Sequence, residues 1–400
     1  VTTLVVGAAV GSGGDAGAGS ASINIFTATT RANIGAGANI DAGADVSVRA
    51  IDDTKLINIA GALGISKDAA GVGIGLDVTV ITKTTEASIA AGLPTTVNAG
   101  GNVIIDADSS EDIYVLTANI GAGDSASGAG GANVLVNLTT TRAILGRDPA
   151  AGVAEAGNVT VDADGSVVVA ADSSTDIESY AGTLGLSLSG SSVGISVGVI
   201  VDIDETSATV GEEANVTARG NGSAVSVRDG IFAGDGSQGT ESVLGLAVTA
   251  TSYEDVILLA IAASGSLGQD NSGSDSSTNT QNDSGTNVGI AASVGVAILK
   301  GETKATLGVG SLINTDNTGA NAGQGILFRG ADETNLTNII GGLAIGIGAD
   351  AGVTGSVTVN EIDNFVWARA LGGNTLNASG GGVRLDADAK VDIDAVTIAV

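Results

Sequence analysis

One pattern returns six times along the 400-residue chain: a short apolar strand, a turn of small residues, and a second strand of alternating polarity. Its clearest copy spans residues 97–107, where two strands flank the turn Gly100-Gly101-Asn102. The second strands of the six copies begin at residues 46, 103, 167, 225, 326 and 383. Self-similarity at a spacing of about 57 residues, widened by two insertions, is the signature of a solenoid.

One such copy cannot bury its apolar face alone, so stacked copies must supply the core. We therefore predict an all-β chain that forms a repetitive β-solenoid, or β-helix, from repeats of about 57 residues. Each repeat offers four strand-like runs, which in the first full copy are residues 46–50, 56–65, 72–81 and 87–89. No capped apolar stripe with a 3.6-residue period occurs, so long helices are not expected. The number of coils in one repeat stays open.

The repeats organise the chain from end to end. Residues 1–28 are interpreted as the tail of a preceding repeat and residues 29–400 as one continuous array, which we expect to extend beyond both ends. Residues 264–287 are rich in Ser, Asn, Asp, Gly and Thr and are predicted to loop out, either as a tolerated flexible insertion or as a recognition or glycosylated loop. A smaller insertion is expected between Ile203 and Val225.

The third run of each repeat alternates most regularly. In the first full copy its β-branched and leucine side chains are predicted to point inward, because such residues suit a packed, pleated face. Glycine weakens a strand unless another backbone approaches closely, so we expect the opposite, outward face to be covered by a neighbouring sheet or by another copy. The predicted inward set is Val72, Ile74, Leu76, Val78 and Val80, and the predicted outward set is Gly73, Gly75, Asp77 and Thr79.

Composition excludes several classes of function. The net charge of −29 repels nucleic acids and anionic membranes, and aromatic residues make up only 2% of the chain. The chain has neither histidine nor cysteine, which excludes Ser-His-Asp and thiol catalysis and the usual zinc ligands. No window resembles a membrane span. We therefore expect no nucleic-acid partner, no membrane span and no enzymatic activity.

Acidic clusters are the remaining candidates for chemistry. The stretch 106–112 recurs at 171–176, and looser copies lie near residues 51–53 and 386–394. Two interpretations stay open: solvated acids at the corners of the coils, or ligands of calcium, which prefers several carboxylate and carbonyl oxygens. No other cofactor is indicated. The candidate calcium ligands are Asp106, Asp108, Asp112, Asp172 and Asp176.

The segment 97–107 resembles the repeats of filamentous hemagglutinin-type adhesins. The longer unit, which includes Asp45-Val46-Ser47-Val48, Ala60-Gly61, Gly71-Val72-Gly73 and Thr85-Glu86-Ala87, is similar to repeats of large bacterial leukotoxin-type filamentous adhesins. The similarity extends over essentially the full chain. It implies a secreted or surface-displayed bacterial β-helix, the shaft of a much larger protein, whose partners are a host or neighbouring cell surface, glycans or matrix.

Three functions follow as expectations. The first is a structural shaft segment of an extracellular adhesin that serves adhesion, display, matrix or biofilm. The second is a self-assembling filament or sheath subunit, in which the Gly/Ser-rich faces make contacts between chains. The third is a β-helical enzyme that cleaves polysaccharides with paired aspartates. The absence of histidine and the scarcity of aromatic residues argue against it.

Overall fold

The computed structural model describes residues 1–91, 93–147, 158–234, 236–267, 287–347 and 351–400. Throughout these ranges the chain is built of β-strands, with no helix and hence none that could cross a membrane. The strands are β1 (Thr2–Gly11), β2 (Ala16–Ile34), β3 (Asn39–Ala42), β4 (Val46–Ser66), β5 (Ala70–Ala90), β6 (Thr95–Ala99), β7 (Val103–Gly123), β8 (Ala126–Gly146), β9 (Val159–Ala163), β10 (Val167–Ser187), β11 (Ser191–Val210), β12 (Asn215–Ala218), β13 (Val225–Phe232), β14 (Gln238–Val243), β15 (Gly245–Leu267), β16 (Val288–Leu307), β17 (Leu312–Ile313), β18 (Gly325–Ile347), β19 (Ala351–Ala370), β20 (Thr375–Leu376) and β21 (Gly382–Ala399).

These strands wind as a β-solenoid of three parallel sheets, which confirms the predicted fold class. Sheet A has the order β1-β4-β7-β10-β15-β18-β21, sheet B the order β2-β5-β8-β11-β16-β19, and sheet C the order β3-β6-β9-β12-β17-β20. One coil is a long strand of sheet A, a long strand of sheet B and a short strand of sheet C. Each repeat is therefore a single coil. The four strand-like runs expected in a repeat belong to only two strands, each about 20 residues long.

The expected start of the fourth repeat at residue 225 is wrong. Val167 pairs with Leu246 in the next coil, whereas Val225 belongs to the antiparallel hairpin β13–β14. The hairpin enters between β12 of sheet C and β15 of sheet A. The insertion expected between Ile203 and Val225 therefore begins only after Ala218 and extends beyond Val225 to the end of β14. A hairpin strand alternates with the same two-residue period as a coil strand, which is why sequence pattern alone confuses the two.

The predicted low-complexity loop 264–287 lies mainly outside the described residues. Ser264–Leu267 complete β15, and β16 begins at Val288. Residues 268–286 fall in the range that the structure does not describe.

The interior of a coil contains two apolar clusters with a band of buried polar residues between them. Where the three sheets meet, residues such as Val48, Ile89 and Val97 form an apolar core that runs along the whole stack. A second apolar cluster, which includes Leu56 and Ile81, lies further along the two long sheets. Between the two clusters lies a buried polar band: Thr54, Ser109, Glu111, Ser173, Thr175, Ser252, Glu254, Asp332 and Thr334 of sheet A face Lys83, Thr85, Thr139, Thr141, Asp204, Thr206 and Thr303 of sheet B.

Beyond the second cluster, sheets A and B close into a thin flange, formed in one coil by residues 57–66 and 70–80. Its interior is lined by small residues because the two backbones nearly touch. A Cβ atom added at Gly73 would lie 2.2 Å from the carbonyl oxygen of Ile120, and one at Gly121 would lie 1.9 Å from that of Gly128. Only glycine and other small residues fit such an approach.

The predicted facing of the third run is therefore wrong. Gly73, Gly75, Asp77 and Thr79 point inward and are buried. The residues predicted to face inward point outward instead: Val72, Ile74, Leu76, Val78 and Val80. The glycine face is covered, as expected. Of the two expected covers, it is the neighbouring sheet, sheet A of the same molecule, that lies against it. Burial of the glycines leaves the β-branched side chains of the flange on the outer surface.

Candidate functional site

The hairpin β13–β14 lies on the outer face of sheet A. Buried Val227 and half-buried Val225 and Val243 pack against side chains of three successive sheet A strands. The sheet residues beneath them are Val168, Ala170, Ala247 and Leu327. Because the hairpin crosses a face that is otherwise a flat ladder of strands, clefts open along its sides.

Three of the five predicted calcium ligands line one of these clefts, which we call the hairpin cleft. The hairpin cleft has a volume of about 240 Å³ and is lined by Arg49, Asp106, Asp108, Asp172 and Arg228. The first four lie on β4, β7 and β10, and Arg228 comes from the hairpin.

The strand register explains why these side chains meet. Residues 106 and 108 both point outward because side chains alternate along a strand. Arg49 pairs with Asp106, and Asp108 pairs with Asp172 on the next coil, at a strand separation of about 4.8 Å. The acids were expected at corners, but they lie within long strands, where the backbone carbonyls accept ladder hydrogen bonds and are poorly placed as additional calcium ligands.

The electrostatics of the hairpin cleft are mixed. Nε of Arg49 lies 3.5 Å from Oδ2 of Asp106. Burial raises the pKa of Asp106 despite the nearby charge of Arg49. Burial raises the pKa of Asp172 to about 7, although the hydroxyl of Thr251 donates a hydrogen bond that favours the carboxylate. The cleft thus combines guanidinium groups with carboxyl groups of unequal acidity.

The other two predicted ligands, Asp112 and Asp176, lie outside this cleft. They pair with each other four residues further along β7 and β10, in a ladder that Lys55 and Asp255 continue on either side. Lys55 binds Asp112, which raises the pKa of Lys55. Burial and the charge of Asp255 raise the pKa of Asp176. The five aspartates therefore form two groups and not one site.

Within the described ranges, no three acidic side chains are arranged to hold a metal ion. Calcium binding by the five aspartates stays a prediction from sequence. The arrangement in the hairpin cleft suits hydrogen bonding to a small polar ligand, since Arg49 and Arg228 can donate and the carboxylates can accept.

Sequence reasoning missed the buried polar band. The ammonium of Lys83 is fully buried, 2.7 Å from a carboxylate oxygen of Asp52 and 2.5 Å from one of Glu111. The hydroxyls of Ser109 and Thr175 donate to the two oxygens of Glu111 at 2.8 and 3.0 Å. Lysine and both acids are thereby satisfied inside the coil.

Further along the stack, the band contains acids without a buried lysine beside them in the described residues. Ser252 donates to Asp204 at 2.7 Å, and Asn137 donates to the neighbouring Asp202 at 2.9 Å. Burial raises the pKa of Asp204 to about 7 and that of Asp332 to about 6, and burial also raises the pKa values of Asp202 and Glu254. The sequence contained a signal for Asp202 and Asp204. Both are an even number of residues from Ile200, as is Thr206, so their side chains point to the same face of β11 as the buried Ile200.

No family model matches this chain, and neither a curated protein nor a solved structure matches it.

Proposed function

We propose that the chain is a structural shaft segment of a large extracellular bacterial adhesin, a rigid body that spans distance and displays other parts of the protein. The observation that carries the proposal is the uninterrupted ladder of sheet A, in which seven strands pair in parallel from β1 to β21. Sheets B and C add six strands each to the same stack. The proposal includes display at the cell surface and partners such as cell-surface glycans or matrix.

The geometry suits a load-bearing role. Force along the stack is borne by three parallel sheets at once, and each long strand contributes about 20 residues of backbone pairing per coil. A strand of this length spans about 70 Å. The coil is therefore broad, and a broad stack resists bending.

The outer surface fits an extracellular role without catalysis. Lysine and arginine residues on the outside commonly pair with acids of the same or the next coil, as in Arg142 with Glu205 at 2.9 Å and Lys300 with Glu361 at 3.2 Å. The net charge of −29 favours solubility of a long polymer. The resemblance to filamentous adhesin repeats supports the same assignment.

The direct test replaces the segment in its parent protein by a shorter array with one coil removed, for example residues 103–166, which span the start of one sheet A strand to the residue before the next. The fibre should then be shorter by only about 4.8 Å. Electron microscopy of the cell surface should show it to be equally straight, and adhesion to the same partners should be retained. Loss of adhesion at unchanged surface display and fibre straightness would show that this segment binds the partner itself.

An enzymatic role is tested separately. Purified chain is incubated with polysaccharides, and reducing ends are measured beside the Asp106→Ala variant. We expect no cleavage by either protein. Reproducible cleavage that Asp106→Ala abolishes would replace the shaft proposal by the polysaccharide-degrading alternative.

A further inference from the structure

The outer surface of the flange on sheet B consists almost entirely of apolar residues, and we call it the apolar face. It consists of Val72, Ile74, Leu76, Val78 and Val80 of β5 and the residues that pair with them on β2, β8, β11, β16 and β19. Of these 30 positions, 29 carry Gly, Ala, Val, Ile or Leu, and Glu361 at the rim is the exception. The largest side chains reach far into solvent: Ile74 is 56% exposed and Ile195 is 46% exposed.

The size of this apolar face exceeds what a monomer ordinarily exposes. Six strands about 4.8 Å apart and nine residues of about 3.3 Å each give roughly 850 Å². Apolar patches on monomeric proteins are typically about 300–600 Å². A stable interface between two proteins buries about 800 Å² on each partner. The apolar face alone therefore supplies enough area for a specific contact.

The relief of the face is self-complementary. At three successive outward positions β8 carries only Gly or Ala, whereas its neighbours β5 and β11 carry Val, Ile or Leu, so β8 forms a groove beside a ridge along β11. A two-fold axis parallel to the strands and midway between them places the ridge of one copy in the groove of the other, and the reverse. The ridge residues are Val193, Ile195 and Val197, and the groove residues are Gly128, Gly130 and Ala132.

Electrostatics permits a contact through this face. Two copies that each carry a net charge of −29 repel wherever their acidic surfaces approach. The apolar face holds a single charged residue, whereas the outer face of sheet A carries the acidic ladder at Asp112 and Asp176 and the protruding hairpin β13–β14. A flat contact between two copies through sheet B therefore brings few charges together. The flange surface of sheet A is also apolar, at residues such as Ile261 and Leu343, and serves as the comparison surface in the test.

We propose that the apolar face of sheet B binds a second copy of this chain, face to face, so that two solenoids lie side by side with β8 of each against β11 of the other. The pairing is independent of the shaft proposal, since it concerns lateral contact and not display. It also differs from the expected contact through Gly/Ser-rich faces, which are buried inside the flange.

Sedimentation velocity of the purified 400-residue chain tests the pairing. The wild-type chain should sediment as a dimer at about 10–100 µM, and Ile74→Glu and Ile195→Glu should each sediment as monomers. The matched control is Ile261→Glu on the outer face of sheet A, at 41% exposure, which should remain dimeric. A monomeric wild-type chain, or equal disruption by Ile261→Glu, overturns the proposal.

Two further measurements keep the test decisive if a glutamate variant misfolds. The double variant Ile195→Thr/Val197→Thr keeps strand propensity and should raise the dissociation constant at least about 10-fold, because hydroxyls would be buried without partners. The chain has no cysteine, so mixed Val134→Cys and Val199→Cys chains should cross-link with a short bismaleimide, while Ile261→Cys chains should not. Monomeric wild-type chain that floats with neutral phosphatidylcholine vesicles would assign the face to lipid and overturn the pairing.

Discussion

At the scale of single residues, Lys83 is the clearest case of a charge that the fold must satisfy. Its ammonium lies between Asp52 and Glu111 with no access to solvent. Removal of the cation leaves two largely buried carboxylates without an opposite charge, so we expect Lys83→Met to lower the free energy of unfolding by about 3–5 kcal/mol. Chemical denaturation followed by circular dichroism measures the change.

Lys55→Met is the matched control for Lys83→Met, since Lys55 also binds an aspartate of the next coil but lies on the surface. It should hardly change stability. The double variant Lys83→Met/Glu111→Gln should recover part of the loss, because it removes one of the two orphaned charges. A loss for Lys55→Met equal to that for Lys83→Met would contradict the buried-charge explanation.

Asp204 makes stability depend on pH. Its pKa is about 7 in the folded chain against an ordinary value of 3.8, so the folded state holds a proton that the unfolded state releases. The stabilisation is complete below about pH 4 and is lost as the pH rises through about 7. The thermal midpoint should therefore fall between pH 5 and pH 8.

Asp204→Asn removes this titration and should make that fall about 2–5 °C smaller than in the wild-type chain. Asp53→Asn, on the exposed face of β4, serves as the control for the loss of one negative charge. Equal slopes for wild type and Asp204→Asn would mean that Asp204 is ionised throughout this pH range.

At the scale of elements, the flange depends on the absence of side chains at its inner glycines. An added Cβ at Gly73 meets the carbonyl oxygen of Ile120 at 2.2 Å, and a backbone atom cannot step aside. We expect Gly73→Ala to cost about 1–3 kcal/mol, the usual penalty for overpacking. Thermal unfolding of the dilute protein measures it.

Gly182→Ala provides the matched control in the same flange. Gly182 points outward, and an added Cβ would lie 3.9 Å from its nearest neighbour, the carbonyl oxygen of Thr117. This substitution should be neutral or slightly stabilising, since alanine loses less backbone freedom than glycine on folding. If Gly182→Ala were the more damaging variant, the assignment of inner and outer faces would be wrong.

The flange also shows where sequence reasoning succeeds and fails. Alternation located the strand around Val72 and separated its two faces, because a period of two is a local property. It could not say which face is inside, because that depends on how closely a distant strand approaches Gly73. The same limit explains why Val225 was wrongly assigned to the start of a repeat. The alternation around Val225 is a local property, but its pairing with β14 is not.

For the candidate ligands, the matching spacing of the two acidic stretches anticipated the pairing of Asp108 with Asp172. Nothing local in the sequence indicated that the hairpin would place Arg228 above them.

The hairpin β13–β14 should be dispensable for the stack. Val167 and Leu246 already pair with each other, so replacement of residues 219–245 by the turn Gly-Gly-Asn of another coil should leave the β-sheet spectrum intact. Exposure of Val168 and Leu327 should lower the thermal midpoint by a few degrees. Complete unfolding on this replacement would show that the hairpin is part of the coil and not an insertion.

At the scale of the whole molecule, coil width determines what the chain can build. Successive sheet A strands start 57 to 80 residues apart, judged from the paired positions 46, 103, 167, 246, 326 and 383. Each coil advances the stack by only about 4.8 Å. The chain therefore uses many residues for little length and gains breadth, which suits a stiff shaft and gives the apolar face its area.

Small-angle X-ray scattering of the Ile195→Glu monomer should consequently report a broad plate. Seven stacked strands give about 30 Å along the axis, and the long strands give about 70 Å across it, so the largest dimension should be roughly 75–80 Å. The wild-type dimer should be thicker with nearly the same largest dimension, because face-to-face pairing adds depth and not length. A dimer with nearly twice the largest dimension would mean that copies join end to end, and a monomer rod of about 100 Å would contradict one coil per repeat.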